Sequence, residues 1–234
     1  MRIILIGCEY AGKTTLAGGI SRWLEANMGP AQFGKYGWHD HFVLPFAEGE
    51  GPELDEEAQQ VLGLKPKLLE KYTRYMIHYH LGRFFFLDNH HLLINWYYGD
   101  AVYAPLYYGY GGHDEYADRQ LMARHHDADV MEAAPDTVLV LVKAAPDAIR
   151  QRVAENLHPY NFLKDKDIEF VLQRFEEEYN RSGIRRRFAL DTTDTTVQET
   201  LQAFLRQMEP HFTERDHLAL SSHDRLVASG SAST

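Results

Sequence analysis

Cysteine is almost missing from this chain: Cys8 stands alone among 234 residues, so no internal disulfide can form and a reducing compartment is expected. Long apolar runs are missing as well, which leaves no segment suited to spanning a bilayer as a helix and no expected membrane partner. Basic residues are few beside acids, 24 Lys and Arg against 34 Asp and Glu. The resulting net charge of −10 argues against a nucleic-acid polymer as partner, because polymer binding rests on many contacts between Lys or Arg and phosphate. A small phosphorylated ligand is not excluded, since it needs only a local cluster of backbone donors and positive charge. Neither Cys-x-x-Cys nor His-Glu-x-x-His accompanies the 13 histidines. Pairs such as His39/His41 and His78/His80, at i,i+2 spacing, point apart on a helix, so no zinc site is expected. A switch-type Asp-x-x-Gly after the third strand and a guanine-reading Asn-Lys-x-Asp are both lacking, which argues against a GTPase switch. The opening Met-Arg-Ile-Ile-Leu-Ile-Gly is a strand that a cleaved leader would remove, so a cytoplasmic location is expected.

What the chain does contain is Gly7-Cys8-Glu9-Tyr10-Ala11-Gly12-Lys13-Thr14-Thr15, a full G-x-x-x-x-G-K-[ST] phosphate-binding turn. Its surroundings give the pattern meaning. The β-branched run 2–6 reads as a buried parallel strand, and Leu16, Ile20, Trp23 and Leu24 recur afterwards at helical spacing. Gly7 and Gly12 allow the backbone to turn its N–H groups toward phosphate oxygens, with Tyr10, Ala11 and Thr15 completing the binding turn. The helix N-terminus adds partial positive charge, Lys13 reaches the β- and γ-phosphates, and Thr14 offers a hydroxyl to Mg²⁺. ATP and Mg²⁺ are therefore the expected ligands. Glu9 is harder to place, because a carboxylate beside a triphosphate is unfavourable unless it points elsewhere. An acceptor hydroxyl or a metal shell would suit it, which hints at a second substrate. Cys8 reads as a packed loop residue, with a reactive thiol near a helix N-terminus as the alternative.

Strand and helix patterns alternate, which predicts an α/β, three-layer P-loop NTPase fold with about five parallel strands flanked by helices and a lid segment. Strands are expected at 2–6, 38–44, 84–87, 137–142 and 188–190. Helices are expected at 13–27, 55–62, 66–82, 90–98, 114–132, from Pro146 onward, 167–181 and 196–208. Residues 97–112 read as an aromatic, Gly-rich loop, whose tyrosines fit base stacking as well as they fit a core or dimer-contact role. One domain is expected over 1–212, with a lid at about 154–166, and 213–234 reads as a polar, disordered tail. Phosphoryl transfer also needs an acid at the end of a neighbouring strand. Asp88, after Phe-Phe-Phe-Leu, has that profile and becomes the Mg²⁺-facing carboxylate, a helix cap being its other reading. Arg150, Arg152, Lys164 and Lys166 are candidates to stabilise the transferring phosphoryl. Arg150 and Arg152 lie about 200° apart on a helix, so they cannot both face one site.

The phosphate loop Gly7-x-Glu9-x-Ala11-Gly12-Lys13-Thr14-Thr15 resembles that of thymidylate kinases, G-x-[DE]-G-x-G-K-[ST]-T. Three further segments fall in the same order: 84–90, similar to the strand ending in that family's Asp-Arg signature; 135–152, similar to the segment leading into its lid; and 189–205, similar to its last strand, adenine-side loop and last helix. Tyr10 stands where a small residue is usual, Asn89 replaces the signature arginine, and the lid lacks a dense arginine pair. The resemblance is therefore to a wider thymidylate-kinase-like and deoxynucleoside-kinase-like group of P-loop kinases. It implies ATP- and Mg²⁺-dependent transfer of a γ-phosphoryl to a nucleoside or nucleoside monophosphate. In that scheme Lys13, Glu9, Asp88, Arg150 and Arg152 act on the reaction, and Asp191 lies on the adenine side. Arg74 would meet an acceptor phosphate, Asp40 or Glu48 the acceptor hydroxyl, and paired helices would form a homodimer. A kinase of another small hydroxylated metabolite and a regulatory P-loop NTPase are the alternatives.

Overall fold

β1 (Arg2–Ile6) runs through the centre of the sheet because nothing after Arg2 in it needs water: Ile3, Ile4, Leu5 and Ile6 are all fully buried. The computed structural model describes residues 1–29, 39–40, 55–81, 90–157 and 161–231. β1 is flanked by β3 (His91–Ile94) and β4 (Val138–Lys143), with β2 (His39–Asp40) beyond β3 and β5 (Arg186–Asp191) beyond β4. All neighbours run parallel, Ile3 standing opposite both Leu92 and Val138. A parallel sheet covered on both faces calls for continuous apolar strands, as the sequences Val-Leu-Val-Leu-Val and Leu-Leu-Ile supply.

Helices cover this sheet. α1 (Lys13–Met28) turns Leu16, Ala17, Ile20, Leu24 and Met28 inward and packs against α8 (Val197–Met208) and α9 (Glu214–Ser231). α4 (Trp96–Tyr103), α5 (Arg119–Ala133) and α7 (Ile168–Arg181) pack on one another and on β1 and β4. α3 (Pro66–Leu81) lies against α4 and α5, and α6 (Pro146–Glu155) against α7, while α2 (Asp55–Leu62) precedes α3. Among the described residues no helix is long and apolar enough to cross a membrane. The expected α/β architecture of parallel strands flanked by helices is the one observed.

Four local expectations need correction. Residues 90–98 are not a helix; they divide into β3 and the start of α4, with Asn95 and Trp96 at φ +56° and +44° forming the corner between them. Short apolar runs do not reveal their type by periodicity, and the run at 84–87, which lies outside the described residues, looked the better strand. The aromatic segment 97–112 is mostly helical, as α4 followed by a π-helical turn at Ala104–Tyr108. Its rings are core: Trp96, Tyr97, Tyr98 and Tyr103 are at most 2% exposed. α5 begins at Arg119 rather than at 114, because Asp118, not Asp114, caps it by accepting from the Gln120 and Leu121 amides. Finally, 214–231 is helix where a disordered tail was expected. Thr213 and Asp216 close its first turn reciprocally, and Asp216 also pairs with the Met1 amino group at 2.8 Å.

Candidate phosphate-binding site

The carboxyl end of β1 is where chain order reverses, since β3 and β4 leave on opposite sides; crevices at such switch points are the usual ligand sites of open α/β sheets. The glycine turn sits there. Gly7 has φ +152°, and a Cβ on it would come 2.1 Å from the Val142 carbonyl oxygen, so β4 passes too close for any side chain. Gly12, at φ +94°, is the N-cap of α1, and a Cβ there would meet nothing within 4 Å. Space therefore opens in front of the helix N-terminus, whose first amides have no intrahelical acceptor. Tyr10 adopts φ +61°, a conformation that favours the small residue of the resembled pattern.

Lys13 is only 5% exposed, yet it forms no ion pair among the described residues; its Nζ donates to the Cys8 carbonyl at 2.7 Å. A buried ammonium satisfied by one carbonyl is poised for an anion. Two further carbonyls of the turn meet side-chain donors from elsewhere in the chain. Arg152 donates to the Tyr10 carbonyl at 3.1 Å, and the Thr192 hydroxyl donates to that of Ala11 at 2.9 Å. Arg152 also reaches the Thr192 carbonyl and hydroxyl, joining α6 to the segment after β5. The Ala11 N–H returns to the Cys8 carbonyl at 3.2 Å, which leaves the amides at the start of α1 as the donors of an anion nest. Burial pushes the Cys8 thiol up to about 12, so it stays protonated and packs as an apolar group.

Glu9 is partly buried at the other side of the turn. Its backbone N–H donates to the Tyr103 hydroxyl at 3.3 Å, and its Oε1 accepts from the Asn95 Nδ2 at 3.5 Å. The Asn95 Oδ1 accepts from the Gly7 N–H at 3.1 Å. Thr14 and Thr15 are exposed on the first turn of α1.

Other anticipated residues are distributed unevenly. Asp88 and Glu48 lie outside the described residues, and Asp40 is described only as backbone of β2. β3, beside β1, ends at Ile94 and is followed directly by Asn95, so a neutral amide stands at that strand end. Arg150 faces away from Arg152, as their spacing requires, and pairs with Asp147, Asp165 and Glu169 at 3.2, 2.9 and 2.7 Å. It borders a cavity of about 300 Å³ shared with Val153, Asn161 and Leu163. Asp191 accepts from the Thr193 N–H at 2.9 Å, fixing the turn after β5. Arg74 pairs with Glu70 and donates to the Tyr116 hydroxyl. Lys164 lies over the Tyr107 ring, 5.3 Å from its centroid. Sequence reading missed Asn95, Tyr103 and Thr192 as supports of the turn. The one local signal was an Asn directly after an apolar run, a residue type that tolerates positive φ.

No protein-family model matches the chain, and no curated protein matches it in sequence. Solved structures do. The YorR protein from Bacillus subtilis, in complex with phosphorylated GDP, is similar over 92% of this chain and 100% of its own, with 18% identity and a TM-score of 0.53. Deoxyadenosine kinase from M. mycoides with bound dATP is similar over 89% of this chain and 100% of its own, with 15% identity and a TM-score of 0.53. The same kinase with bound dCTP gives 17% identity and a TM-score of 0.52 over 90% of this chain and 100% of its own. The chain thus has the P-loop kinase fold, in agreement with the architecture its own strands and glycine turn build.

Proposed function

We propose that the protein is an ATP- and Mg²⁺-dependent phosphotransferase that moves the γ-phosphoryl of ATP to a nucleoside or nucleoside monophosphate. The observation that carries this reading is the buried, carbonyl-held Lys13 at a glycine turn that leads into the N-terminus of α1. Lys13 exchanges the Cys8 carbonyl for β- and γ-phosphate oxygens, and the loop amides hold the same charge. Thr14, exposed beside Lys13, offers a hydroxyl oxygen, a donor type that suits a hard cation. Mg²⁺ bound at Thr14 would supply charge neutralisation across the phosphate oxygens. Glu9 is steered away from the loop amides by Asn95 and orients the acceptor. Arg152 holds the turn from the adenine side, where Thr192 and Asp191 shape the segment after β5. Arg150, tied to lid acids, acts with closure of the 154–166 segment, which excludes water. The resemblance of the loop to thymidylate kinases supports a nucleotide-type acceptor. So do the dATP and dCTP held by a solved deoxyadenosine kinase of the same fold.

The test is transfer from labelled ATP to a panel of nucleosides, nucleoside monophosphates and small alcohols. Phosphorylation of a nucleoside or nucleotide is expected, with Lys13→Ala lowering turnover by about 10²-fold or more while the far-ultraviolet dichroism stays unchanged. Transfer only to small alcohols would move the acceptor to another metabolite. Hydrolysis without transfer would leave a regulatory NTPase.

A further inference from the structure

We infer that Asn95 is a positioning residue, whose amide sets the direction of the Glu9 carboxylate and ties that setting to the first glycine of the phosphate turn. The inference rests on the reading of Glu9 as the acceptor-facing group. It starts from a side chain that does not do its ordinary work. Asn95 is the N-cap of α4, a place where an Asn normally accepts from the first-turn amides of its own helix. Here it makes no such bond; Oδ1 takes the Gly7 N–H and Nδ2 faces Glu9 Oε1. The backbone bends to allow it. Asn95 and Trp96 both have positive φ, and Trp96 is a bulky residue for which that conformation is a genuine outlier. Two such residues in succession are retained where the surroundings over-determine them, as at functional corners.

The surroundings do so. The Asn95 N–H donates to the Leu5 carbonyl at 2.7 Å, its own carbonyl accepts from Gly99, and Trp96 is buried against Tyr97. Asn95 is 2% exposed, so its amide has few partners besides the two it uses. Among the described residues, the groups around Glu9 that carry or exchange protons are Cys8 and Lys13 in the turn and Tyr103 on α4, and none of them donates a side-chain hydrogen bond to the Glu9 carboxylate. The amide is therefore the neutral donor that fixes Glu9 without adding charge beside the phosphates. An acid in its place would repel Glu9, and an apolar residue would release it.

The experiment is a double-mutant cycle in the full chain. Asn95→Asp and Asn95→Ala are made alone and in a Glu9→Gln background. Transfer is followed as a pH profile, with KM for ATP measured separately. Asn95→Asp keeps the Gly7 acceptor and replaces only the donor, so the acid limb of kcat should move up by roughly one pH unit or more through like-charge repulsion. Asn95→Ala should lower kcat by about 10- to 100-fold with KM for ATP changed much less. Both effects should vanish when Glu9→Gln is already present. Equal effects in both backgrounds, an unmoved acid limb, or failure of both variants to fold would assign Asn95 to scaffolding and overturn the inference. Absence of transfer by the unaltered protein would instead remove the kinase reading beneath it.

Discussion

His126 holds its ring in the interior, edge-on to His78 at 5.4 Å and tilted against Tyr97 at 5.3 Å, with 4% of its surface exposed. Burial, reinforced by the charge of His78, pushes its pKa down to about 4. Burial does the same for His90, helped by the adjacent amino terminus, again to about 4. Each ring is thus kept neutral by the fold while the unfolded chain takes up a proton near pH 6.5. Between about 6.5 and 4 the unfolded state binds more protons, so stability is full above that window and declines as pH falls through it. Each histidine contributes on the order of 2 kcal/mol to the decline. Urea midpoints at pH 7 and pH 4.5 should therefore differ clearly in the unaltered protein and less in His126→Leu. An equal difference in the two would show that His126 does not carry the acid sensitivity.

Arg119 pins three helices at once. Its Nε meets the Asp100 carboxylate of α4 at 2.7 Å, and its Nη2 meets Glu70 of α3 at 3.1 Å. Its guanidinium stands 5.1 Å from the centre of the Tyr110 ring, and all three charged groups are at most 2% exposed. Without Arg119 the buried Glu70 keeps Arg74 and Asp100 keeps the Tyr110 hydroxyl, but Asp100 loses its guanidinium partner, so Arg119→Ala is expected to cost about 3 kcal/mol. Arg119→Lys restores charge without the planar fork and should fall between the two. Chemical denaturation measures this directly, and a loss below about 1 kcal/mol in the alanine variant would mean that the carboxylates find other donors. None of this could be read along the chain, because Glu70, Asp100 and Arg119 are each locally unremarkable in pattern. The elements that were legible share one property: β1, α1, β4 and α8 declare themselves by continuous apolar runs or helical spacing over many residues. β3 was misread because the runs at 84–87 and 91–94 are equally short and apolar. α4 was taken for a loop because Gly and Tyr are frequent there, although burial decides its state. The glycine turn was legible since its nine residues are consecutive. Of its supports only Arg152 stood out in the sequence; Asn95 and Tyr103 on one side and Thr192 beside Arg152 on the other come from separate places and are assembled only by the sheet order.

That assembly links the site to the stability of the whole chain. The turn is held by β3 and α4 on one flank and by α6 and the segment after β5 on the other, so an occupant of the turn engages both halves of the sheet. A ligand that binds only the folded chain stabilises it by about 2.7 kcal/mol at a hundredfold excess over Kd. For a chain of this size each kcal/mol raises Tm by about 2–4 °C, so Mg²⁺ with ATP should lift the melting temperature by roughly 5–10 °C. Mg²⁺ alone should do little, because its phosphate ligands are then missing. Lys13→Ala should melt close to the unaltered protein without nucleotide, since the Cys8 carbonyl keeps the Ala11 N–H at 3.2 Å, but it should lose most of the nucleotide-dependent rise. A rise of equal size in Lys13→Ala would place the nucleotide somewhere other than the glycine turn. A rise with ATP that does not depend on Mg²⁺ would leave Lys13 and the amides in place and take the metal away from Thr14.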